Sequence, residues 1–147
     1  PTPAPGPTPA PTPVPGTAAS FVVEDPGIYY PDGSLKYALG AAVLQGENIL
    51  VAWRVTNTGG TARRVYTVVR VHEGAAIGTG SELAKQQSSV INVNPGETFE
   101  WSWIYNVGTL GFWFPQGDRD VSISVHDEAT NAELAKKHFY NVFYVKG

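Results

Sequence analysis

The chain has 147 residues, enough for one ordinary domain, and its 10 Lys and Arg against 13 Asp and Glu leave a net charge of -3 with no basic stripe to follow a phosphate backbone. Nucleic acid is therefore not an expected partner, and no apolar run approaches the ~18 residues of a membrane span. Cysteine and methionine are both absent, which excludes thiol catalysis, disulfides and thiolate metal sites and suits a secreted or cell-surface protein exposed to oxidants.

The first stretch, PTPAPGPTPAPTPVPG, places proline at every odd position through Pro15. A start at proline, without an initiator methionine, is expected of a processed or trimmed chain. Residues 1–20 carry no charge and almost no bulky apolar group, so they are assigned as an extended arm or linker. Each residue of the repeat is a proline or precedes one, which holds the backbone extended. Sixteen such residues span roughly 50 Å at about 3.1 Å each. In an extended chain the N–H groups of residues i and i+2 point the same way, so Thr2, Ala4, Gly6, Thr8, Ala10, Thr12 and Val14 offer every donor along one edge. The proline edge offers none. Such an arm can add to an exposed sheet edge as a terminating strand, lie in an aromatic groove as a polyproline helix, or serve only as a spacer.

One domain is expected over 21–147, where aromatic and β-branched residues begin and continue. Weaker strands are predicted at Ser20 to Val23, Lys36 to Leu39 and Val90 to Val93. ENILVAWRVTN puts Ile49, Val51, Trp53 and Val55 on one face. After the turn signal NTGG, ARRVYTVVRVHEG does the same with Val65, Thr67, Val69 and Val71. GSELAKQQSS and, later, NAELAKK have helix-forming composition but are short, and are read as loop or a single turn. NPG at Asn94 to Gly96 introduces a buried strand with Phe99, Trp101, Trp103 and Tyr105 on its inner face. RDVSISVHDE sets Val121, Ile123 and Val125 inward with Ser122, Ser124 and His126 outward, and KHFYNVFYV follows, apolar on both faces. Seven or eight short strands without alternating helices predict an all-β, antiparallel sandwich.

VAWRVTNTGGTARRVYTVVRV and VNPGETFEWSW resemble the strand, turn and strand of CARDB-type and related immunoglobulin-like modules of bacterial and archaeal surface proteins. The resemblance runs from Glu47 to Val145, with NVGTLGFWFPQGDRD and Phe21 to Gly46 as additions to the pattern. It implies an immunoglobulin-like β-sandwich with an adhesive, spacer or assembly role outside the cell. It implies no catalytic residue.

No Ser lies in a G-x-S-x-G elbow and no phosphate loop is present, so the chain is expected to be non-catalytic, with no cofactor and no metal. His72, His126 and His138 fall on predicted solvent faces and could converge only if their strands were neighbours. Asp118, Asp120, Asp127 and Glu128 gather near two strand ends, which is best read as solvated turns, with calcium binding or hydrolase chemistry as weaker readings. Burial of Trp53, Trp101, Trp103 and Phe99, at about 1.5–3 kcal/mol each, makes them core residues. In GFWFP, three consecutive aromatics cannot all face inward, so at least one faces outward, and the segment is either a strand-capping plug or a contact surface; Phe112, Trp113 and Phe114 join the arm as predicted contact residues. The expected function is a structural subunit of a surface filament or layer, a homo-oligomer whose arm docks on a neighbour. The alternative is a polysaccharide-binding module, tethered by its arm to an enzyme, stacking Trp113, Phe112 or tyrosine residues on sugar rings.

Overall fold

A computed structural model describes residues 20–74, 80–108 and 116–147. The strands are β1 (Phe21–Val23), β2 (Gly27–Tyr29), β3 (Ala42–Leu44), β4 (Asn48–Asn57), β5 (Arg63–Glu73), β6 (Glu82–Gln87), β7 (Ile91–Val93), β8 (Thr98–Asn106), β9 (Gly117–Asp127) and β10 (Glu133–Lys146). In the first sheet β4 is central, with β8 along one edge and β1 and β2 end to end along the other. The second runs β3-β10-β9-β5, with β6 and β7 end to end on the outer edge of β5. Among the described residues, ten strands thus fill eight positions, three facing five. Every pairing among the described strands is antiparallel except that of β3 with β10.

The alternation read from sequence places the core. Ile49, Val51 and Val55 of β4, Val65, Val69 and Val71 of β5, and Val121, Ile123 and Val125 of β9 have no exposed surface. Trp53 spans the two layers, and its indole N–H donates to Thr67 Oγ1 on β5 at 2.9 Å, so the largest core side chain has its one polar atom satisfied. At the NTGG turn, buried Asn57 donates through Nδ2 to the Thr61 and Val93 carbonyls, each at 2.9 Å, and accepts the Gly59 N–H. The NPG turn closes because Gly96 adopts φ +83°, which a side chain would resist, and its N–H reaches the Asn57 carbonyl at 2.7 Å.

Three local expectations are corrected. Lys36 to Leu39 form no strand: Lys36 makes an isolated bridge with Tyr29, and the Tyr37 N–H bonds the Ile28 carbonyl at 2.8 Å; Gly40, at φ 78°, interrupts the run and the strand starts afterwards, at Ala42. GSELAKQQSS and NAELAKK form strands: β6 bonds along β5, and the start of β10 bonds along β9. Helix propensity over so few residues yields to a ready-made ladder. Finally, KHFYNVFYV does not alternate throughout. Its register slips between Phe139 and Phe143, with Asn141 at φ 51°, so consecutive Val142 and Phe143 are both buried.

Candidate functional site

Two surfaces stand out from an otherwise ordinary sandwich. The first is the free edge of β8. Its nine residues pair with β4 along their whole length, from Asn48↔Asn106 to Thr56↔Thr98, and no described strand pairs with the other edge. The aromatic face points inward as the alternation requires, and Tyr105 is buried. Phe99, Trp101 and Trp103 are only half-buried, because nothing described flanks them on the outside. On the opposite face Ile104 is 50% exposed. Sheet edges are ordinarily guarded by Lys, Pro, a bulge or an inward charge. TFEWSWIYN has no Lys or Pro and no register shift, and its one charge, Glu100, is engaged by Arg54 at 2.9 Å.

The second surface is the outer face of the five-position sheet. Because β10, β9 and β5 are adjacent, the three histidines share one face. Registers set His72 opposite Asp120, Arg70 opposite Ser122 and Tyr66 opposite His126, while His138 lies across from Ser122 on the other side. His72 and His138 stand with ring centroids 5.3 Å apart, and His126 stacks on Tyr66 at 5.2 Å. Ser122 and Ser124 face outward as expected. They are nonetheless buried, because Arg70, His72 and His126 bond over them at 3.3, 2.8 and 2.8 Å respectively.

Ser122, His72, Asp120 and His138 are the residue types of a hydrolytic relay, wired otherwise. The serine meets His72 at 2.8 Å, whereas the carboxylate holds His138 at 2.9 Å. His72 has its second nitrogen on the Gly80 carbonyl, and Ser122 is 1% exposed, so in this arrangement no acid orients the histidine at the serine and no substrate reaches it. Burial pushes the His72 pKa below the usual imidazole value, His138 adds to that, and the Gly80 carbonyl, Glu82 and Asp120 oppose it. Asp120, wholly buried, also accepts the Asn141 N–H at 2.8 Å and thereby fixes the β10 bulge. That role was invisible in the sequence, where the only signal was an acid inside an otherwise apolar alternation.

The other predicted site residues do not assemble. Asp118 and Asp120 lie at one end of 11-residue β9, and Asp127 and Glu128 at the other, roughly 30 Å away. The weaker reading as one calcium-binding cluster therefore fails, and the reading as solvated turns is corrected for Asp120 and Asp127, which are buried within β9 because each side chain is taken up by hydrogen bonds or an ion pair there. Among the described residues no group of three or more His, Asp or Glu is placed to hold a metal ion. Thr2, Ala4, Thr8, Ala10, Thr12 and Val14 of the arm, and Phe112, Trp113 and Phe114, lie outside the described residues. No described helix is long and apolar enough to cross a membrane.

No protein-family model matches the chain, and no curated protein does. Solved structures do. The C-terminal domain of wzt superposes with a TM-score of 0.59 at 10% identity, over 90% of this chain and 80% of that one. The alkylpurine DNA glycosylase AlkC of Pseudomonas fluorescens, bound to DNA with an abasic-site analogue, gives 0.57 at 11% identity over 88% of this chain. This chain is an immunoglobulin-like β-sandwich. It spans 31% of the glycosylase, and the likeness is one of fold. A CARDB domain from Pyrococcus furiosus, in complex with di-metal ions, aligns over 88% of this chain and 89% of its own at 16% identity, with a TM-score of 0.49.

Proposed function

We propose that the protein is a non-catalytic assembly subunit outside the cell, in a surface filament or layer, whose proline-alternating arm adds as a strand to the β8 edge of a second copy. The observation that carries this is the unguarded nine-residue edge with its half-covered aromatics, in a sandwich with three positions facing five. One further strand beside β8 covers Phe99, Trp101 and Trp103. The arm has the chemistry for that edge, since every donor from Thr2 to Val14 lies on one flank and the proline flank stops a further strand from adding. An arm held extended before docking loses little entropy on binding.

The join between arm and domain favours a second copy over the chain's own β8. The Ser20 carbonyl accepts the Thr58 N–H at 2.7 Å, so the arm meets the domain where β4 ends. β1 lies on the far side of β4 from β8 and runs parallel to it. Reaching its own β8 would require the arm to reverse and cross the sheet end; a neighbour's β8 requires neither. The absence of cysteine and methionine supports an extracellular setting.

The test compares the intact chain, a chain lacking residues 1–16, and Thr8→Pro/Ala10→Pro by light scattering. The expected result is oligomers for the intact chain and folded monomers for the other two, since the added prolines keep the arm extended while removing two donors. Assembly that survives deletion overturns the reading. Assembly that is lost on deletion but kept in the double-proline chain overturns strand addition, and moves the arm to the groove of about 490 Å³ lined by Pro26, Ile28, Tyr37, Leu39 and Val142.

A further inference from the structure

The outer face of the five-position sheet holds a groove of about 360 Å³, far from β8, that arm docking leaves unused. It runs over β5 and β6 and ends at the turn into β10. Val68, only 7% exposed, lies within it. Tyr66 stands at one end, fixed twice: His126 stacks on its ring with the planes 8° apart, and its hydroxyl bonds Asn131 Oδ1 at 2.8 Å. Gln87, opposite Val68 on β6, contributes one planar amide along the groove, and Asn131 contributes a second at its end.

The groove's own lining holds two basic side chains, Arg70 and Lys85, and no acid. The two are paired in register, and Lys136, opposite Ser124 on β10, adds a third cation to the same sheet. Glu82 offsets one of them, holding Arg70 Nε at 2.8 Å. Lys85 is exposed and has no ion-pair partner among the described residues. A held aromatic ring, amides that both donate and accept, and a cation with no partner converge in one shallow groove. A pyranose offers an apolar C–H face to such a ring, its hydroxyls suit the amides, and a carboxylate on the sugar supplies the counter-charge to Lys85.

We infer that this groove binds an acidic saccharide chain, with Tyr66 as the stacking platform and Lys85 as the carboxylate contact. The test is affinity electrophoresis of the intact chain through gels containing polygalacturonate, neutral dextran or polyglutamate. The expected result is retardation by polygalacturonate alone, abolished by Tyr66→Ala and weakened about tenfold by Lys85→Gln, the loss of one charge-assisted bond. Because Lys85 is exposed, that variant retains its fold, and thermal melts of both variants confirm it. Equal retardation by polyglutamate overturns the inference in favour of simple charge attraction. Unaltered migration in polygalacturonate, or retardation that both variants retain, overturns it outright.

Discussion

The bond between Trp53 and Thr67 joins the two sheets through a single side chain pair, both members of which are buried. A buried indole N–H without an acceptor forfeits its hydration with nothing in return. Thr67→Val keeps the shape of the side chain and removes the acceptor, so it should cost about 1–3 kcal/mol and lower the urea midpoint with little change in slope. An unchanged midpoint would show that the indole finds another partner. Asn57 illustrates the same economy at a turn, where one amide satisfies three backbone groups that the NTGG and NPG loops would otherwise leave unpaired.

At the scale of elements, the polar ladder over β5, β9 and β10 couples stability to pH. The His72 pKa is depressed in the fold relative to about 6.5 in the unfolded chain, chiefly by burial. The unfolded state therefore binds more protons as pH falls through that range, and the stability present above it is lost on acidification. Urea midpoints should fall between about pH 7.5 and about pH 5.5, and His72→Gln, which still offers Ser122 a partner, should flatten that decline. An identical decline in the variant would place the sensitivity elsewhere. The inward faces of β4, β5 and β9 were legible because alternating Val, Ile and Trp leave a strand only one way to lie. The meeting of His72 with His138 was not, since it depends on the order β10-β9-β5, which no local pattern records. Nor was the break at Asn141: Asp120 fixes it from a neighbouring strand, 21 residues away in sequence. β6 and the start of β10 were hidden for a related reason, because Glu, Leu, Ala and Lys favour a helix until a flanking strand supplies the bonds.

For the whole molecule, the imbalance between the sheets matters most. Five positions face three, and on the smaller sheet the strand at one edge has two unfinished faces: Ile104 to the outside, Phe99, Trp101 and Trp103 to the inside. Stability without disulfides rests on packing, and an edge of this kind is a liability in an isolated molecule. In the proposed assembly it would serve as an acceptor. A neighbour's arm would then cover the edge and the aromatics together, with its prolines shielding the result from further addition. Hydrogen exchange of the β8 amides, measured on the intact chain and on the chain lacking residues 1–16 at the same high concentration, is the most direct check. The alternate amides of Thr98–Asn106 that do not bond β4 should exchange slowly in the intact chain and rapidly in the truncated one, with those of β5 and β9 unaltered; equal exchange along β8 in the two chains would contradict arm docking at that edge.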